Sequence, residues 1–164
     1  MSNTTPTTGT TADREIVISR IIDAPRELVF TAFTEVRHLS QWWGPNGFTT
    51  TTTSFDFRID GEWDFVMHGP DGADYPEWIR WTQIVAPELI VLVHGERPDD
   101  PNAFTSTIVF ATDATRPGST RIEMRTVFPT KESRDEAVQR YHAIEGGEQT
   151  LGNLAAYVGG LTAR

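Results

Sequence analysis

Four histidines, twenty-three carboxylates and no cysteine are the side chains from which any chemistry in this chain has to be drawn. The absence of cysteine excludes thiolate metal sites, disulfides and cysteine nucleophiles. No pair of histidines has the H-x-x-H or H-E-x-x-H spacing that puts two ligands on one helix face, so neither a metal nor another cofactor is expected. There is no G-x-S-x-G, no phosphate loop and no dinucleotide fingerprint. Of the histidines, His94 shares strand parity with Ile90 and Leu92 and is expected to point inward. His38, on a short charged helix, and His68, opposite the Trp63, Phe65 and Met67 face, are expected in solvent. His142 falls one position off the apolar stripe of the last helix. Glu77 and Glu145 are the carboxylates nearest to aromatic or inward positions. Asp56 and Arg58 alternate onto the polar side of their strand, where an ion pair fixes a turn or clamps a ligand. None of these groups forms a catalytic constellation by spacing, and no catalytic residue is assigned.

Aromatic mass carries more information than charge. Trp42 and Trp43 end a short helix at Gly44-Pro45, and two adjacent tryptophans need apolar surface on more than one side. They read either as the wall of a cavity or as ordinary core. The candidate lining is Trp43, Trp63, Phe65, Met67, Trp81, His94, Met124, Phe128, Tyr141, Ile144, Gly147 and Leu151. Large aromatic rings bury much area and keep a polar edge, which suits a binding pocket as well as a core. Trp78 and Trp81 are three apart, so a regular strand sends them to opposite faces unless a bulge intervenes.

These residues sit on a recognisable alternation of elements. Residues 1–13 are Thr-rich with no apolar stretch and read as a flexible tail of a cytoplasmic protein. Residues 14–164 read as a single domain. Glu15 to Ile22 alternates as a strand, and Asp23-Ala24-Pro25 starts a helix carrying Leu28, Val29, Ala32, Phe33 and Val36. From Phe48 to about Phe128 the pattern is β, with turns at Asp60-Gly61, Pro70-Asp71-Gly72, Ala86-Pro87, 97–102 and 116–119. The first of these strands is expected to run through Phe55, Phe57 and Ile59. From Lys131 the period becomes helical, with Ala137, Tyr141, Ile144, Gly147, Leu151, Leu154, Val158 and Leu161 on one stripe. Gly146-Gly147 interrupts that helix and marks a kink or a place left open for a ligand. The expected architecture is α+β: a curved antiparallel sheet wrapped around a long C-terminal helix, with two short helices after the first strand. The formal charge of -9 disfavours nucleic acid and anionic membranes as partners, and no apolar run is long enough for membrane insertion.

Asp23-Ala24-Pro25-Arg26-Glu27-Leu28-Val29-Phe30 and Gln41-Trp42-Trp43-Gly44-Pro45 resemble the opening and the most distinctive motif of proteins similar to the activators of the heat-shock-protein-90 ATPase. Asp56 to Gly61, Pro70-Asp71-Gly72, Ala86-Pro87-Glu88 and the Leu151 to Val158 helix follow in the family's order. The chain departs from the pattern where Asp60 replaces a glycine, Ala86 a proline and Leu89 a basic residue. The resemblance implies the helix-grip fold of the SRPBCC/START superfamily and a cavity between sheet and helix for apolar or amphipathic molecules.

Three functions are compatible with these residues. Non-catalytic binding of a small apolar or amphipathic molecule leads, because lining is present and a catalytic set is absent. A cyclase- or hydrolase-type enzyme comes second and requires His94, Tyr141 or Glu145 to converge on the cavity. A protein-binding module that contacts a chaperone comes third and requires an exposed apolar patch. The oligomeric state and the ligand are not specified by the sequence.

Overall fold

The computed structural model describes residues 10–162, so the tail expected over 1–13 lies largely outside the described residues. Within it, Ala12–Arg14 form a single 3-10 turn leading into the first strand. The elements that follow are β1 (Glu15–Ile22), α1 (Arg26–Thr34), α2 (Val36–Trp42), β2 (Thr49–Phe55), β3 (Glu62–His68) and β4 (Asp74–Val85). After these come β5 (Leu89–Gly95), β6 (Phe104–Thr112), β7 (Thr120–Val127), α3 (Lys131–Tyr141) and α4 (Ala143–Thr162). All seven strands form one antiparallel sheet in the order β1-β7-β6-β5-β4-β3-β2. This is the α+β helix-grip architecture expected from the sequence.

Alternation decides which face of the sheet is covered. Trp63, Phe65 and Met67 of β3 point to the same side as Ile90 and Leu92 of β5 and Ile108 and Phe110 of β6, and all are buried. The stripe Leu151, Leu154 and Val158 of α4, at 2% exposure or less, packs over this face toward β1. Helix α1 closes one end through Phe30 and Phe33, whose rings lie 5.2 and 5.3 Å from Phe110 in edge-on geometry. Trp42 completes that end, donating its indole N–H to the Ala32 carbonyl at 3.1 Å.

The glycine that stops α2 is required by geometry. Gly44 has φ of +101°, and a β-carbon there would overlap the Met67 methyl group. The chain therefore turns at Gly44-Pro45 and descends along the edge strand β2.

Three expectations about the elements change. Strand β2 ends at Phe55, because the chain tightens into a turn in which Asp60 adopts φ of +66°. Ile59 is consequently 54% exposed rather than a member of a strand. Asp56 and Arg58 pair across 2.6 Å within that turn, both more than half exposed, a geometry worth little net stability. The long C-terminal helix does not run from Lys131, because it breaks at His142, which caps α3 in the left-handed region at φ of 54°. Gly146 and Gly147 lie inside α4 without interrupting it.

Trp78 and Trp81 divide as strand geometry requires. Ile79 opposes Trp63 and His94 on the inner face, while Trp78 opposes Asp64 and Gly95 on the outer one. The register slips between Trp81 and Gln83, so the bulge follows Trp81 rather than separating the two tryptophans. Trp78 is nevertheless only 1% exposed. Its N–H donates to Glu62 at 2.9 Å, and the Arg80 guanidinium lies over its ring, 5.2 Å from the centroid.

The Trp78 hydrogen bond, aided by Arg80 against the opposing effect of burial, holds the Glu62 carboxyl below the usual carboxylate range. A carboxylate with a lowered folded-state pKa contributes stability above its unfolded pKa and loses it as pH falls through the folded value. Glu62→Gln is therefore expected to lower the urea midpoint at pH 7, with the gap to wild type shrinking as pH falls through the acid range. A gap that stays constant from pH 7 to pH 3 would count against this assignment.

On the outer face, Val17 and Val109 are 45% and 39% exposed. Strand β7 runs between them, and it places Arg125 opposite Val17 and Glu123 opposite Val109, so the two side chains do not join into one apolar patch.

Candidate functional site

Strands β4 and β5 place Glu77 and His94 on the apolar inner face. Glu77 opposes Phe65, and His94 opposes Ile79 and Phe104, so strand pairing alone aims both side chains inward. His94 Nε2 and Glu77 Oε1 are 2.5 Å apart, with side-chain exposures of 15% and 20%. Such a pair loses hydration on entering an apolar wall and regains it only through mutual attraction and further hydrogen bonds.

Aromatic rings surround the pair. The His94 ring centroid lies 4.8 Å from Phe104, 6.1 Å from Trp43 and 6.3 Å from Phe65. Phe104 continues to Phe128 at 5.1 Å, and Trp43 rests edge-on against Trp63 at 5.6 Å. Trp63 stacks on Phe65 at 3.7 Å and donates its indole N–H to Thr52 Oγ1 at 3.1 Å. A hydroxyl pair, Ser106 and Thr126 at 3.0 Å, lies beside them on the same inner face.

A second carboxylate completes the electrostatics. Burial acts to raise the Asp100 pKa, but the N–H groups of Glu96 and Asn102 and the charge of Arg97 outweigh it, leaving the carboxyl below its ordinary value. Asp100 belongs to the β5–β6 loop, which packs back onto Gly95 at the end of β5.

Trp43, Trp63, Phe65, His94 and Phe128 thus converge. Met67 is buried against the Gly44 turn, and Trp81 lies with Phe55 and Phe57. Met124 and Ile144 are half-buried beside the core, and Leu151 is within it. Tyr141 does not line the interior: it is 60% exposed with Arg140 against its ring, because the break at His142 takes α3 out of phase with α4. Gly147 does not leave open room either, since a β-carbon there would overlap the Ile18 side chain. Glu145 is exposed, so it does not join Tyr141 and His94 in a common site.

His38 is likewise not in solvent. It is 8% exposed and shares a 2.5 Å hydrogen bond with the Tyr157 hydroxyl, joining α2 to α4. His68 is half-exposed on the outer face between Asp74 at 2.7 Å and Thr51 at 2.8 Å. Among the described residues no three His, Asp or Glu side chains converge as metal ligands.

Phe104 and Asp100 were missed in the sequence because both adjoin an irregular loop. Alternation back from Ile79 and Trp81 identifies Glu77 as inward, but only the pairing of β4 with β5 shows that His94 is its partner.

The curved sheet gripping one long helix, with an aromatic-walled polar pair at its inner face, defines a protein of the helix-grip class. The chain belongs to the family of activator of Hsp90 ATPase homolog 1-like proteins, within the SRPBCC superfamily, whose model matches residues 23–159. The fold is similar to that of a Nitrosomonas europaea protein, with a TM-score of 0.82, 21% identity, and coverage of 93% of this chain and 99% of that one. An Arthrobacter aurescens protein gives a TM-score of 0.81 at 22% identity, covering 92% and 88% of the two chains. A Mycobacterium smegmatis protein gives 0.78 at 24% identity, covering 94% of each. No functionally curated protein shows significant sequence similarity to the chain.

Proposed function

We propose that the protein binds a small apolar or amphipathic molecule, without performing chemistry on it, at the aromatic face around His94. The proposed contacts are Trp43, Phe65, His94, Phe104 and Phe128, with Glu77 at the polar end. The observation that carries this reading is the Glu77–His94 pair, set mostly buried in a largely aromatic wall. A fold maintained for packing alone gains nothing there over two apolar residues, whereas a ligand-orienting site needs a few polar groups on an apolar lining.

Access is proposed beside α3. A surface furrow of about 650 Å³ runs between the β5–β6 loop and α3, bordered by Asn102, Thr130, Ser133 and Gln139. No ring of the aromatic wall lines the furrow, but Asn102 is two residues from Phe104 and Thr130 two residues from Phe128. Helix α3 contains no buried residue, and outward movement of it would widen this entry at small cost. Deeper space is filled, since Trp63, Trp81, Ile79 and Leu154 are all fully buried. Residues 14–164 are proposed to act as one domain, and the cysteine-free chain suits the cytoplasm.

Native mass spectrometry of protein purified gently from its host tests the reading. A retained small molecule is expected in the wild type and lost in Trp43→Ala. A wild-type protein that carries no ligand from its host, and takes up none from a library of apolar and amphipathic compounds, would sink the proposal.

A further inference from the structure

We infer that the polar end of this site selects a ligand bearing a protonated amine on an apolar body, an inference that rests on the binding reading above. It follows from which hydrogen-bonding positions are already used. If neutral His94 donates its Nε2–H to Glu77 Oε1, the imidazole keeps Nδ1 as an acceptor and the carboxylate keeps Oε2. Neither atom has a hydrogen-bond partner among the described residues. The unfilled capacity is therefore acceptor capacity, from Glu77 Oε2 in either protonation state of the imidazole and from Nδ1 when the ring is neutral. An ammonium supplies three donors to it, a hydroxyl one, and a carboxylate none.

The surroundings favour the same charge. Trp43 and Phe104, both only partly buried beside His94, offer ring surface whose quadrupole attracts a cation, more strongly where water is displaced. Asp100 adds a further carboxylate at the end of β5. The bordering furrow carries Glu132, Asp135 and Glu136 against Arg140 alone. Asp135 and Glu136 are partly neutralised by Lys131, Arg134 and Arg140, whereas Glu132 has no ion-pair partner among the described residues. With Lys131, Arg134 and Arg140 set against these three carboxylates the furrow is close to neutral, so the attraction for a cation comes from Glu77 and the rings.

Isothermal titration of the full chain with 4-phenylbutylamine, 4-phenylbutanol and 4-phenylbutyrate tests the inference, at about 0.15 M salt so that distant charges are screened. The amine is expected to bind at least about tenfold more tightly than the alcohol, with the carboxylate weakest. Glu77→Gln is expected to shrink the amine's advantage over the alcohol to about twofold or less. Thermal melts establish that the variant is folded; if it is not, the three-ligand series on the wild type decides alone. Equal binding of amine and alcohol overturns the amine selectivity and leaves the binding site standing. Binding of none of the three overturns both. Amine binding that is indifferent to Glu77→Gln in a folded variant places the cation elsewhere on the acidic surface and overturns the assignment.

Discussion

Trp63→Ala is expected to cost about 3–5 kcal/mol of folding stability, the range for removing a large aromatic side chain from a core. Trp63 is fully buried, stacked on Phe65 and edge-on to Trp43 and Phe55. Truncation leaves a void bounded by rings that cannot collapse into it, and deprives Thr52 of its indole donor. Set against a total stability of roughly 5–15 kcal/mol for a domain of this kind, the loss is a large fraction. Urea unfolding of the variant measures it, and Trp63→Phe, which keeps a ring in place, is expected to lose much less. A loss below about 1 kcal/mol for the alanine variant would show that Trp63 is not a packing centre. Because Trp63 supports Trp43 from behind, the same change is expected to weaken ligand binding as well.

Gly147→Leu is expected to destabilise the fold by about 1–3 kcal/mol, the usual cost of forcing extra methylenes into a packed contact. Helix α4 passes so close to β1 at this point that a β-carbon would already overlap Ile18 Cδ1. The tip of Ile18 can shift to admit one methyl group, so Gly147→Ala is expected to be mild. A leucine requires the helix itself to move. Thermal melts in the absence of ligand report the difference. If Gly147→Leu melts at or above wild type, the contact is open space, and the residue has a ligand-accommodating role instead of a packing one.

The sequence disclosed the elements whose signal is local. Ile122, Met124, Thr126 and Phe128 alternate cleanly because β7 is flanked by β1 and β6 and covered on one face, and Gln41 to Pro45 ends a helix by residue type alone. The break at His142 left no trace, since a left-handed cap is ordinarily a glycine, and the two real glycines downstream drew attention instead. Tyr141 was then carried inward along a stripe that the break interrupts. His38 looked solvated because α2 is short and charged, yet its neighbour Tyr157 comes from 119 positions away. For the site, parity aimed His94 inward, but its union with Glu77 depends on the pairing of β4 with β5, and pairing is a tertiary fact. Phe104 follows an irregular loop, where alternation has no starting phase.

Because β1 pairs with β7, the strand that leads the sheet in sequence is joined to the strand that closes it. Arg14 Nη1, beside that strand, donates to the Phe128 carbonyl 114 positions away at 2.6 Å. Strands β2 to β7 are sequential neighbours and can assemble as a meander from hairpins, each closing a short loop. β1 can only wait. At ribosomal rates of about 5–20 residues per second, its partner emerges on the order of ten seconds later. Throughout that interval Ile16, Ile18 and Ile22 have no sheet to join. On the outer face of β1, Glu15 and Ser19 alternate with Val17 and Ile21, so only half of that face is polar enough to keep the strand hydrated while its partner is still being made.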